Sequence, residues 1–396
     1  MFAALSHRNF RLFFFGQFVS LTGSWMQNTA QAWLIYRLTR DPLMLGLVAL
    51  VAQLPVLVLG FYAGFAVDHA DHLRLVKRTQ FLAMIQAALL ALLTWGGQIE
   101  VWHVFALSLG LGVVNAFDMP ARQVLIGELV PVEHRHNAIA LNSTIVNASR
   151  IVGPALAGLA IAYAGEAGCF AFNAVSYVAV LFALKAMRHV RQPPPSEPRG
   201  GPWREIGDGM AYAFGHEPIR LVLMALTVVG LVGLPVYTLM PVFAEDVLHS
   251  GAKGLGILSS FSGAGAMIGA LALAGRRGAA GMGAEMVSGS AGMAVALAGM
   301  AWSRHFGASC FFMALMGWFA IRVLAGANTA LQELSDDRHR GRVMSFYSMI
   351  FIGLSPVGSF VAGGVASRIG AAWTTAGMAV GMAALAAGYG KRLRSI

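Results

Sequence analysis

The amino-acid sequence predicts an all-α membrane protein with twelve transmembrane helices, arranged as two six-helix pseudo-repeats. Three observations predict this fold: a composition too apolar for a water-soluble surface, twelve apolar segments, and a glycine pattern that recurs in the second half. The chain has 396 residues, of which 57% are hydrophobic and 12% are charged. Because soluble domains carry about 25% charged residues, the chain is predicted to reside in a lipid bilayer.

The apolar segments have the length of membrane spans, which need roughly 20 residues to cross a hydrocarbon core of about 30 Å. The N-terminus shows no cleavable signal pattern, so the first segment is predicted to remain as a span. The twelve spans are predicted at 10–36, 43–67, 76–96, 102–119, 138–163, 168–187, 218–244, 252–275, 282–302, 306–328, 343–366 and 371–390.

The distribution of positive charge predicts the orientation. With an even number of spans both termini lie on one side, and 21 of the 28 lysines and arginines fall on that side. Five fall on the opposite side, and Arg150 and Arg322 lie within spans. This is the positive-inside pattern, so both termini are predicted to be cytoplasmic. The net charge of +10 therefore requires no nucleic-acid partner.

A proline- and glycine-rich stretch at 188–217 reads as a cytoplasmic linker between an N-terminal half, 1–187, and a C-terminal half, 218–396. The halves repeat at an offset of 205 residues, since Gly153, Gly158 and Gly165 recur as Gly358, Gly363 and Gly370. Gly112 likewise recurs as Gly317, and Leu45-Gly46 echoes in Leu255-Gly256. Parallel repeats of this kind are one architecture of secondary transporters, in which substrate binds between the halves near the bilayer midplane.

Polar side chains inside the spans predict where a cavity lies. Amides that face lipid are costly, so a polar side of a span is expected to line a water-accessible space. The predicted lining residues are Gln17, Ser24, Gln27, Asn28 and Gln31 of span one and Asn147 of span five.

Span five carries the most unusual charge. Arg150 lies about ten residues, or roughly 15 Å, into this span, too deep for its side chain to reach the interface easily. It is a candidate for transport or coupling; the alternative is a structural arginine that caps carbonyls or pairs with a buried acid. Its repeat position is Ser355, so either role belongs to the N-terminal half.

Two further charged residues are coupling candidates. Asp118 is placed near the cytoplasmic end of span four, and Arg122 follows it at a helical spacing of four. A purely structural Asp118–Arg122 ion pair is the alternative. Arg322 in span ten is a candidate whose partner the sequence does not reveal.

The loop after span two is predicted to be a gating loop: Gly64 would allow a close helix contact, and Asp68 and Arg74 would form a charge network that closes the cytoplasmic side. The alternative is an ordinary solvated turn, and the histidines of the cytoplasmic loops, His72 among them, are likewise predicted to be solvated. The sequence contains no cluster with metal-ligand spacing, no catalytic triad and no phosphate-binding loop. We therefore expect no enzyme activity, no metal, no cofactor and no direct use of ATP.

Several motifs resemble the major facilitator superfamily, and in particular its macrolide- and siderophore-exporting subgroup. They are G-F-A-V-D-H-A-D-H-L-R at 64–74, F-D-M-P-A-R-Q at 117–123 and R-I-V-G-P-A-L-A-G at 150–158. The last resembles the span-five G-P-x-x-x-G signature of exporters and implies a helix hinge at Gly153, Pro154 and Gly158. The chain departs from the family at His69, where a basic residue is usual.

The resemblance implies a single-chain transporter of the bacterial cytoplasmic membrane that exports a small amphiphilic or hydrophobic compound by alternating access. Coupling to protons is implied by the resemblance alone. Two alternatives stay open. One is an importer or exchanger of an anionic solute, with Arg150 as the counter-charge. The other is a lipid-scrambling or structural membrane protein without ion coupling.

Overall fold

The computed structural model describes residues 3–187, 210–274, 281–336 and 339–394, and these ranges contain helices and no strand. Most of the predicted linker lies outside the described residues. The main helices are α1 (Arg8–Thr39), α2 (Pro42–Asp68), α3 (His72–Trp95), α4 (Val101–Glu128), α5 (Arg135–Lys185), α6 (Glu217–Val247), α7 (Gly251–Ala274), α8 (Met282–Trp302), α9 (Phe306–Leu334), α10 (340–369) and α11 (Ala371–Arg394).

Helix α5 consists of two helical segments, each long enough to cross a membrane, that are joined at one residue. Its 51 residues would extend roughly 75 Å if straight, more than twice the hydrocarbon thickness. The helical backbone is interrupted at Gly165, where φ is 66° and ψ is −176°. Gly370 adopts a similar conformation between α10 and α11, with φ of 86° and ψ of 156°. Glycine accepts this region without steric cost, so the repeated glycine marks the same break in both halves.

The helices agree with the predicted membrane architecture. Within the described ranges, nine helices are long and apolar enough to cross a membrane when α5 is counted once. Three further segments correspond to predicted spans: the second part of α5, the polar helix α1 and the helix α10. Helix α10 is interrupted by a π-helical stretch at Ile350–Leu354. The all-α fold is confirmed, and the helices are consistent with twelve spans.

The chain divides into two compact units. Unit 1 comprises 1–40, 51–197 and 251–260, and unit 2 comprises 41–50, 198–250 and 261–396. In unit 1, α1 packs along α5, and α3 packs on α4 and α5. In unit 2, α8 packs on α9 and α11. The predicted boundaries of the halves and the linker stay a prediction.

Each unit contains a glycine contact at the position that the repeat indicates. In unit 1, a Cβ added to Gly256 would lie 2.8 Å from the Cα of Gly158. In unit 2, a Cβ added to Gly46 would lie 2.7 Å from the Cα of Phe360. Both backbones therefore approach more closely than any side chain allows, as small-residue contacts between membrane helices do.

Candidate functional site

Asp118 lies within a helix rather than at its end. The sequence places the end of span four at residue 119, whereas α4 continues to Glu128. Pro120 lies inside the helix, where a membrane helix tolerates the missing donor. Asp118 therefore lies ten residues, or about 15 Å, before the end of α4.

The Asp118 carboxylate is 3% exposed and is held by three donors. Its Oδ1 accepts hydrogen bonds from the Thr79 hydroxyl at 2.6 Å and from Gln80 Nε2 at 2.9 Å. Its Oδ2 accepts from Arg122 Nε at 2.9 Å. Thr79 and Gln80 belong to α3, so the carboxylate joins two helices and pairs with a charge on its own helix. The predicted Asp118–Arg122 pair is present.

Asp118 and Arg122 line a polar cavity of about 110 Å³ in unit 1. Four of the residues predicted to line a cavity do so, and they are Gln17, Ser24, Gln27 and Asn28. Gln80, Asn115, Asn173 and Tyr177 complete much of the polar wall. A space of this size suits a few waters or an ion, because pockets that bind drug-sized ligands measure about 300–1,000 Å³.

The other two predicted lining residues lie elsewhere. Gln31 Nε2 donates to the Ser108 hydroxyl at 3.0 Å. Asn147 Nδ2 donates to the Ser143 carbonyl at 2.9 Å, one turn earlier on α5. Neither residue lines the Asp118 cavity.

A chain of amides extends the polar interior of unit 1 beside this cavity. Gln27 Nε2 donates to Gln86 Oε1 at 2.9 Å, and Asn173 Nδ2 donates to Gln27 Oε1 at 2.8 Å. All three side chains are buried. The sequence indicated the polar side of α1 but not its partners, because those partners come from helices distant in sequence.

Arg150 does not line the Asp118 cavity. Its guanidinium lies 5.8 Å from the centre of the Trp25 ring, a cation–π contact between α5 and α1. One turn further along α5, Gly153 packs against the same tryptophan and against Thr22.

The predicted hinge residues lie in continuous helix. Gly158 approaches α7 closely, since a Cβ there would be 3.1 Å from the Cα of Gly256. The backbone stays helical through Pro154, and the interruption of α5 is at Gly165. A hinge motion at Gly153, Pro154 and Gly158 stays a prediction.

Arg322 has a buried acidic partner in unit 2. Its Nε donates to Glu285 Oε2 at 2.6 Å, and its Nη2 contacts the same oxygen. Glu285 is 5% exposed and lies in the first turn of α8. It is the only acidic residue of Met282–Trp302, and this isolation was the signal that could have found it.

The predicted gating loop is built differently from the sequence expectation. At Gly64 an added Cβ would meet no described atom within 4 Å, so this glycine is not at a close helix contact. The Arg74 side chain is exposed and pairs with Asp71, with 3.0 Å between Nε and Oδ2. The Asp68 side chain lies outside the described part of the structure. The loop's role as a gate stays a prediction.

A buried histidine connects this turn to α4. The prediction that His72 is solvated is wrong: its ring is buried, with Nδ1 2.7 Å from Glu128 Oε1 and Nε2 3.0 Å from the Val67 carbonyl oxygen. The pair ties the start of α3 to the end of α4. Sequence reasoning missed it because the partners are 56 residues apart.

Comparison with known proteins places these features in a family. The family model described as "Transmembrane secretion effector" matches residues 1–396. The staphyloferrin A transporter of Staphylococcus aureus is 26% identical over 66% of this chain and 66% of its own length, just under two thirds. Macrolide efflux protein A of Streptococcus pyogenes is 25% identical over 92% of both chains.

Solved structures agree on the fold. The nucleoside transporter NupG superposes with a TM-score of 0.75 at 13% identity, over 97% of this chain and 98% of that one. The likeness shows the fold alone, and it agrees with the motifs and with the family model. The chain belongs to the transmembrane secretion effector family of the major facilitator superfamily and is a multi-pass membrane transporter.

Proposed function

We propose that this transporter exports a small amphiphilic or hydrophobic compound across the bacterial cytoplasmic membrane, by alternating access and in exchange for protons. Asp118 is the residue that carries the proton. The buried position of its carboxylate among Thr79, Gln80 and Arg122 is the observation that carries this proposal, because ionisable groups inside membrane spans are costly and serve ion pathways.

The name of one relative supports the direction, and the names of two support a small-molecule substrate. One relative is named for macrolide efflux and the other for transport of staphyloferrin A. The cavity of about 110 Å³ suits water or an ion, which supports a role of Asp118 in binding the proton. The exported compound is proposed to bind elsewhere.

The geometry gives Asp118 two states of different energy. When the carboxylate is charged, it pairs with Arg122 and accepts from the two donors on α3. Protonation removes the negative charge and leaves the Arg122 charge without this counterpart. The contact between α3 and α4 is then weaker, so proton binding favours a different packing of these helices. Such a difference between states is what coupling requires.

Further parts of the proposal follow from the same scheme. A single chain supplies both halves and acts as a monomer in the lipid bilayer, with both termini cytoplasmic. Arg150 and Arg322 are additional candidates for transport or coupling. The partners are the exported compound, protons and lipid, without nucleic acid, metal or cofactor.

Transport in inside-out membrane vesicles tests the proposal, with erythromycin and a lipophilic cationic dye as probes. We expect accumulation that a pH gradient drives and that a protonophore abolishes. Asp118→Asn should lose gradient-driven accumulation while retaining exchange of labelled for unlabelled probe, since only the proton step is removed.

Glu133→Gln provides the control, because it removes an exposed carboxylate and should transport as the wild type does. Accumulation that survives the protonophore, or that Asp118→Asn leaves unchanged, would contradict the proposal.

A further inference from the structure

Two amide oxygens beside Asp118 have no hydrogen-bond partner among the described residues. They are Gln17 Oε1 and Gln80 Oε1, on side chains that are 1% and 4% exposed. Both side chains line the same cavity. A buried acceptor without a donor costs about 1–3 kcal/mol, so these oxygens indicate a ligand that donates hydrogen bonds.

The orientation of the Gln80 amide is fixed by its neighbour. Its Nε2 donates to Asp118 Oδ1 at 2.9 Å, and a rotated amide would place two acceptor oxygens against each other. The Gln80 carbonyl oxygen therefore points away from the carboxylate. Gln80 contacts Asp118 with its donor, and its side chain is one of those that line the cavity.

The cavity meets the conditions for bound water. Water needs a polar site with two to four partners and at least about 10–15 Å³ of accessible space. The volume of about 110 Å³ exceeds that several times. The Tyr177 hydroxyl, 3.4 Å from the Ser24 hydroxyl, offers a further polar group on the α5 side of the cavity.

We infer that this cavity binds a cluster of ordered waters that donate to Gln17 and Gln80 and connect the Asp118–Arg122 pair with Ser24 and Tyr177. Gln17 and Gln80 are positioning residues for this cluster. The functional part of the inference rests on the proposed role of Asp118; the presence of the cluster does not.

The cluster supplies a route for the proton. A hydrated proton in the cavity gives its proton to an Asp118 oxygen, which leaves neutral water and a neutral carboxyl group. The reverse step returns the proton to the cluster. Arg122 keeps its positive charge in both states, so the net charge of the site rises by one on protonation.

Labelling by hydroxyl radicals generated from bound water tests for the cluster in the full-length protein. Tyr177 is 7% exposed and lines the cavity, whereas Tyr36 is 2% exposed and does not. We expect oxidation of Tyr177 several-fold faster than that of Tyr36. Gln17→Leu and Gln80→Leu should each slow it, and Gln98→Leu at an exposed position should not. Equal rates at the two tyrosines would overturn the cluster.

The pH profile of transport tests the positioning role. Gln80→Leu removes a donor to the charged carboxylate, so half-maximal transport should move to higher pH, while Gln98→Leu leaves the profile unchanged. If Tyr177 is labelled as expected but Gln80→Leu leaves the pH of half-maximal transport unchanged, the positioning role is overturned and the water cluster is kept. If a protonophore has no effect on transport by the wild type, the proposed function is overturned without affecting the labelling result.

Discussion

The two halves of the molecule pair a buried acid with a partly buried arginine in different ways. In the N-terminal half, Asp118 and Arg122 share α4, and α3 supplies two uncharged donors to the carboxylate. In the C-terminal half the acid is on α8 and the arginine on α9, so the ion pair itself joins the helices. Glu285 stands 205 residues after Gln80, which is the offset of the repeat.

The difference separates a site that can change charge from one that holds helices together. At Asp118 the contact between helices uses neutral donors beside a polar cavity, so it can survive a change of charge in weakened form. At Glu285 the contact between helices includes the charges themselves, so neutralising either residue removes the charge pairing that joins the two helices. We therefore expect the C-terminal pair to matter more for stability and the N-terminal pair more for coupling.

The largest expected effect is the loss of Arg322. Arg322→Ala leaves the buried Glu285 carboxylate without this partly buried counter-charge and should destabilise the protein by about 3–5 kcal/mol. Arg122→Ala should cost less, because Asp118 keeps the Thr79 and Gln80 donors. Thermal unfolding of the purified proteins in detergent measures both. Equal losses for the two variants would remove the proposed difference between the halves.

A smaller effect is expected where the halves are alike. Gly165→Ala and Gly370→Ala each force a side chain into a left-handed conformation, at a cost of about 1–3 kcal/mol. The two costs should match, because the two backbone conformations are similar. Gly110→Ala and Gly377→Ala are the controls, since a Cβ there meets no described atom within 4 Å. Unequal losses of stability for Gly165→Ala and Gly370→Ala would show that the two repeats do not share the same backbone conformation at this position.

The smallest expected change in stability is at Arg150. Arg150→Ala removes the contact with Trp25 and should cost about 0.5–2 kcal/mol, and Ser355→Ala at the repeat position should cost almost nothing. Transport of the dye should fall more than this loss of stability accounts for. If dye transport by Arg150→Ala falls only in proportion to the amount of folded protein, Arg150 has a structural role alone.

The sequence predicted the helices better than their contacts. Hydropathy located every main helix, because the length and hydropathy of a span are properties of a short segment. The glycine offset marked positions where two helix backbones come close, because glycine permits such an approach. The end of α4 was placed at residue 119, whereas the helix continues to Glu128, because the polar residues beyond 119 lower the hydropathy without ending the helix. The polar side of α1 was visible in the sequence, and four of its members line the cavity.

The partners of the charged residues were not predictable in the same way. Thr79 and Gln80 reach Asp118 only because α3 is rotated toward α4, and helix rotation depends on packing over the whole unit. Glu285 and His72 were overlooked for the same reason. An isolated acid in a span signals a buried charge, but its partner can be named only when the facing helix is known.

The contact between His72 and Glu128 implies that the two side chains share an extra proton. Both ring nitrogens of His72 face acceptors, a carboxylate oxygen and a backbone carbonyl oxygen, and a neutral imidazole can donate from only one nitrogen. Either the ring carries both protons or the carboxyl group carries one. Without that proton, one ring nitrogen of His72 and the oxygen opposite it would be two acceptors facing each other. The contact between the turn before α3 and the end of α4 therefore depends on a single exchangeable hydrogen.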